Sequence, residues 1–143
     1  MILGFTGTRK GLTPPQTKAL LSALLDQPPS AAHHGCAVGA DAEFALAVAH
    51  IFDHAKPRVL IVGWPSNVAG QVDERAMKCC DQVHDCRAPL ERNRCIVDAC
   101  ERLIACPAGM AEEQRSGTWA TVRYARKVGK PVTIVWPDGS VQS

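Results

Sequence analysis

The residues able to do chemistry fall into a few short windows. Near the N-terminus, Gly7-Thr8-Arg9-Lys10-Gly11 follows an apolar run. Glycine lets a backbone approach a ligand closely, threonine adds a hydroxyl, and arginine offers a two-pronged fork for an anion. The segment reads either as a phosphate cradle or as a turn that needs its glycines. It has neither the Gly-Lys-Ser/Thr of a Walker A loop nor a G-x-G-x-x-G turn. A second window, Gly39-Ala40-Asp41, opens an apolar helical pattern. Asp41 there is either an N-cap or an acceptor for a ribose hydroxyl, and Glu43 suits the positive end of the helix dipole.

A third window, Glu91-Arg92-Asn93-Arg94, sets two arginines in a first helical turn, against the dipole. Salt bridges to Glu91 and Asp98 would balance them, and so would an anionic ligand. The fourth window is the most specific. Arg115-Ser116-Gly117-Thr118-Trp119 places small residues and two hydroxyls at the mouth of a helix, whose unsatisfied N–H groups bind phosphate. Ser116 alone would be an ordinary N-cap. A cap requires neither Arg115 nor Gly117 and Thr118.

Seven cysteines, including the adjacent Cys79 and Cys80, make an odd count that fits a reduced chain better than a disulfide framework. Cys79, Cys80, His84 and Cys86 are close enough in sequence to raise the question of zinc. They do not form the paired C-x-x-C spacing, so they read as small buried hydrophobes and surface thiols, and no metal or other cofactor is expected. His33 and His34 have no evident nucleophile or metal partner and read as structural. Trp64 reads equally as a base-stacking platform or a rim residue.

These windows need elements to bring them together. Short β-branched runs over 2–6, 31–34, 58–63, 102–106 and 131–136 alternate with helical apolar spacing over 14–25, 41–51, 90–100 and 117–128. A short helix is predicted over 73–81, within the least legible stretch, 64–89. Strict alternation implies parallel pairing through right-handed crossovers, hence a three-layer α/β sandwich around a mostly parallel five-stranded sheet. Ligands of such sheets sit beyond the carboxyl ends of the strands, where the strand order reverses. One domain over 1–139 is expected, with 140–143 a frayed tail.

Composition limits the partners. The chain has 143 residues, 16 Lys+Arg against 14 Asp+Glu, a formal net charge of +2 and 46% hydrophobic residues. That balance disfavours a long polyanion as partner, and no run reaches the roughly 18 apolar residues of a spanning helix. The N-terminus reads as strand and turn rather than as a signal peptide, so a cytoplasmic setting is expected.

Taken together, the four windows and the run Thr118-Trp119-Ala120-Thr121-Val122-Arg123-Tyr124 resemble the SLOG superfamily, in particular its small single-domain, Rossmann-like nucleotide-binding branch. The similarity spans almost the whole chain and is strongest over 89–139. That superfamily includes the Lonely Guy phosphoribohydrolases, molybdenum cofactor carriers, the DNA-processing protein A family and sensor domains for NAD-derived signals. The resemblance implies a ligand with a phosphorylated ribose. Ser116, Gly117 and Thr118 match the family's phosphate turn, Gly7, Thr8 and Arg9 its first loop, and Gly39 and Asp41 its second. Arg92 and Arg94 match the Arg-Asn-Arg segment of the DNA-processing branch.

One departure bears on catalysis. The hydrolases continue Gly-Thr-x-x-Glu, and Thr121 stands where that carboxylate belongs. Threonine cannot supply the negative charge that an oxocarbenium-like transition state requires opposite it. Asp41, Glu43, Glu91 or Glu113 would have to substitute, and spacing selects none of them. The leading expectation is therefore binding of a nucleotide-derived small molecule by a sensor, carrier or sequestering protein. Phosphoribohydrolase activity is the alternative, and single-stranded DNA binding a third reading, disfavoured by few aromatics. A homodimer through helices is also implied by the resemblance.

Overall fold

Strands and helices alternate along the chain as the apolar spacing requires. In the computed structural model, which describes residues 1–143, the first half runs β1 (Ile2–Gly7), α1 (Pro14–Asp26), β2 (Ala31–His34), α2 (Ala40–Ile51), β3 (Leu60–Gly63) and α3 (Glu74–Lys78). The second half runs β4 (Gln82–Val83), α4 (Pro89–Ala99), β5 (Arg102–Cys106), α5 (Gly117–Lys127), β6 (Val132–Val135) and β7 (Val141–Gln142). The sheet order is β4-β3-β2-β1-β5-β6-β7, parallel throughout except for β7. The sheet thus has seven strands where five were expected. Gln82–Val83 and Val141–Gln142 are two-residue strands, too short to show any periodicity in sequence. The tail expected to fray instead pairs antiparallel with β6, and Trp136 N donates to Ser140 O at 2.9 Å beside that pairing.

The period of two within each strand sorts the core into two layers. Leu3 and Phe5 of β1 face Leu20 and Leu24 of α1 and Phe44 and Val48 of α2. The Phe5 and Phe44 rings stack with centroids 4.2 Å apart. On the other face, Leu103 and Ala105 of β5 meet Val97 of α4 and Trp119, Val122 and Ala125 of α5. None of the helices is long and apolar enough to cross a membrane.

Local chemistry fixes the helix starts that matter to the site. Thr13 and Gln16 form a reciprocal capping box, with Gln16 N donating to Thr13 Oγ1 at 3.1 Å and Thr13 N to Gln16 Oε1 at 3.2 Å. The buried Gln16 amide then donates to Pro107 O at 3.0 Å and Val135 O at 2.8 Å. That contact ties α1 to the loop after β5. Gly7 lets the start of α2 close on the end of β1, since a Cβ there would lie 2.6 Å from that of Ala40.

Candidate functional site

After β1 the chain builds outward through β2, β3 and β4, then returns to lay β5 on the other side of β1. The strand order therefore reverses between β1 and β5. A cavity of about 300 Å³ opens there, walled by the loop after β1, the start of α4 and the start of α5. Of the residues expected from sequence, Gly7, Thr8, Arg9, Asp41, Arg92, Ser116, Gly117 and Thr118 all line it. Lys10, Asn93 and Glu113 line it as well. Lys10 and Asn93 sit inside sequence windows already flagged, but nothing in residue type alone separates them from ordinary surface groups.

The loop after β1 is held by its own backbone. Thr8 N donates to Cys106 O at 3.0 Å, and Thr8 O accepts from Ala40 N at 2.9 Å. Thr8 Oγ1 accepts from Lys10 N at 3.1 Å, and Glu43 Oε2 accepts from Leu12 N at 2.8 Å. Glu43 is thus a loop clasp. Opposite, Ser116 is the N-cap of α5, its Oγ accepting from Trp119 N at 3.3 Å. Helix geometry leaves the N–H groups of Gly117 and Thr118 without an intrahelical acceptor. Space above Gly117 is open.

Asp41 lines the cavity but does not cap its helix. Gly39, not Asp41, is the N-cap of α2, and it lies outside the cavity lining. Gly39 has φ +87°, and a side chain there would run into the Arg9 backbone, so it brings two loops together rather than touching a ligand. Asp41 is 6% exposed, and its Oδ2 accepts from Gly35 N at 3.0 Å and Ala37 N at 3.2 Å. Burial pushes its carboxyl above the ordinary carboxylate value, against the opposing pull of His34, Arg92 and the two backbone donors.

Arg92, also 6% exposed, is a brace. Its guanidinium donates to Gly35 O at 2.5 Å, Trp64 O at 3.1 Å and Asn93 Oδ1 at 2.7 Å. It joins the loop after β2 to the end of β3 and puts its charge in the cavity wall. Arg94 does not line the cavity: its guanidinium lies 5.2 Å from the Tyr124 ring centre, against α5. The two arginines sit two residues apart on a helix, so they point about 200° apart around its axis.

Trp64 is no base platform. It is 9% exposed, stacks on His84 at 3.6 Å between centroids, and donates from Nε1 to His33 Nδ1 at 2.9 Å. The fold gathers a different trio, His34, Cys36 and Cys80, with Nδ1/Nε2 and Sγ atoms within 4.8 Å of one another. Cys36 N donates to His34 Nδ1 at 3.0 Å, so the ring proton sits on Nε2, the nitrogen that faces Cys80 Sγ at 3.4 Å.

The crystal structure of TM1055, target VT76 of the Northeast Structural Genomics Consortium, is similar to this chain, with a TM-score of 0.61 at 11% sequence identity over 92% of this chain and 71% of that one. The shared feature is a Rossmann-like fold. At that identity the likeness bears on Rossmann-like architecture alone. No protein-family model matches the sequence, and neither does any curated protein.

Two outcomes test this geometry. Arg92→Met keeps much of the volume but leaves the buried Gly35 and Trp64 carbonyls unpaired and Asp41 without its nearby cation; urea unfolding should show a loss of roughly 2–5 kcal/mol. His33 is held down to about 4 from an ordinary 6.5, first by burial and then by His84 and His34. As pH falls below about 6.5 the unfolded chain binds that proton before the folded one does, so stability should drop between about pH 6.5 and pH 4. Thermal melts across that window should show His33→Gln, which keeps an acceptor for Trp64 Nε1, declining less than the parent protein.

Proposed function

We propose that this protein binds a small molecule carrying a phosphorylated ribose, a nucleotide or nucleotide derivative, at the carboxyl edge of its sheet. The observation that carries this reading is the meeting of Arg9 and Lys10, neither in an ion pair within the chain, with the start of α5 in one cavity. Arg9 supplies a fork for phosphate oxygens, and the Gly117 and Thr118 N–H groups supply aligned donors at the positive end of a helix. The Ser116 hydroxyl, whose oxygen already serves as the cap, keeps its hydrogen to donate. A cavity of about 300 Å³ is at the small end for ligand pockets, which suits a mononucleotide better than a dinucleotide. Sensing, carrying or sequestering the ligand is the activity that this arrangement of anion-binding groups supports.

N-glycosidic hydrolysis is the second reading, and it rests on one residue. Thr121 is buried and its hydroxyl donates to Gly117 O at 2.9 Å. Glu91 pairs with Arg87 at 3.2 Å, Glu43 clasps Leu12 and Asp41 holds Gly35 and Ala37. Glu113 lines the cavity without an ion pair, so it is the carboxylate such chemistry would have to use.

Isothermal titration with AMP, ADP-ribose, NAD and cyclic ADP-ribose tests the binding reading. At least one should bind, and Arg9→Ala should weaken it roughly 10- to 100-fold, the worth of a charge-assisted contact. Silence across the panel from folded protein would remove the proposal. Release of free base from nucleoside monophosphates, abolished by Glu113→Gln, would move it to the hydrolase reading.

A further inference from the structure

Away from the cavity floor, the trio His34, Cys36 and Cys80 has a chemistry of its own. His34 and Gly63 are register partners on β2 and β3. Gly63 lacks a side chain where two sulfurs sit: a Cβ there would lie 2.5 Å from Cys36 Sγ and 2.7 Å from Cys80 Sγ. The missing Cβ lets both thiols reach the same spot. His34 and Cys36 are fully buried, whereas Cys80 is half-buried, so one thiol of the pair is within reach of solvent.

We propose that hydroperoxides oxidise Cys80, with Cys36 as the thiol that resolves it to a Cys36–Cys80 disulfide. The peroxide O–O bond breaks as Cys80 Sγ attacks the nearer oxygen, giving a sulfenic acid and an alkoxide or hydroxide that takes up a proton. Cys36 then attacks the Cys80 sulfur, the S–O bond breaks, and water leaves with the Cys36 proton. The two thiols lose two electrons in all and the peroxide gains them. A dithiol reductant reverses the change by exchange.

Several contacts prepare Cys80 for this. His34 Nε2, protonated because Nδ1 accepts from Cys36 N, donates toward Cys80 Sγ at 3.4 Å. The neighbouring Cys36 thiol, ahead of His34, draws the Cys80 thiol below its ordinary value while burial and Asp81 oppose. The Cys36 thiol moves the other way, raised by Cys80 and by burial, with Asp41 adding to the rise and Arg92 opposing it. Cys80 is the member beside His34 and only half-buried, and Cys36 the enclosed one, the division of labour that attack and resolution need. When Cys80 is a thiol instead, Ala76 O at 3.2 Å is its acceptor. Adjacent Cys79 is raised by burial and by Cys80. Cys36 lies between Gly35 and Ala37, the two donors to Asp41, so the disulfide would form within the loop that backs the cavity wall.

The test uses the intact reduced chain with a chelator present. Brief alkylation at about pH 6 followed by peptide mapping should modify Cys80 at least roughly tenfold faster than the exposed Cys86, which serves as an internal standard. Stoichiometric hydrogen peroxide should then join the Cys36 and Cys80 peptides with loss of two hydrogens, reversed by dithiothreitol. Cys36→Ser should stop at a Cys80 sulfenic acid that dimedone traps. Cys80 alkylating no faster than Cys86, or oxidation linking any other pair, would overturn the proposal from the parent protein alone.

Discussion

The site hangs on the backbone of Thr8. Its N–H donates to the end of β5 and its carbonyl accepts from the start of α2, so one peptide segment joins the two halves of the sheet at the point where strand order reverses. Both bonds need close approach: Gly7 lets α2 in against β1, and Gly39 lets the next loop pass over Arg9. A single added methyl group at either position would push these loops apart. Because a packed interior responds to such a change as a whole, the cavity is a consequence of two missing side chains as much as of the charged ones present.

Much of this was legible in sequence. The long apolar periods marked every major strand and helix and put the loops that follow the strands at one edge, while the strand order, which periodicity does not carry, decided which of them meet. The two-residue strands were not legible, since pairing of that length is decided by neighbours rather than by pattern. At the site, residue type and loop position identified eight lining residues, but not their jobs. Asp41 and Arg92 line the cavity and also brace its wall, because a carboxylate or guanidinium near a turn is satisfied by the turn's own N–H and C=O groups. Arg94 shared a motif with Arg92 and was separated from it by helix geometry. The cysteine trio was invisible because its members come from β2, the loop after it and the chain after α3, and only strand order brings them together.

Charge bookkeeping over the whole chain also misleads. A net +2 looks indifferent to anions, yet Arg58 pairs with Asp81, Arg75 with Asp73, Arg87 with Glu91 and Arg123 with Glu112. What those pairs leave over includes Arg9 and Lys10 at the cavity. The field that a small anion meets is set by the unpaired cations and the α5 dipole, not by the sum.

The central claim is that the loop after β1 and the start of α5 form one anion site. Backbone amide shifts of the ¹⁵N-labelled chain during titration with AMP test it most directly. The account predicts saturable shifts that are largest at Gly7, Thr8, Arg9, Gly117 and Thr118. Shifts confined to residues away from the β1–β5 reversal, or none at millimolar AMP, would contradict it.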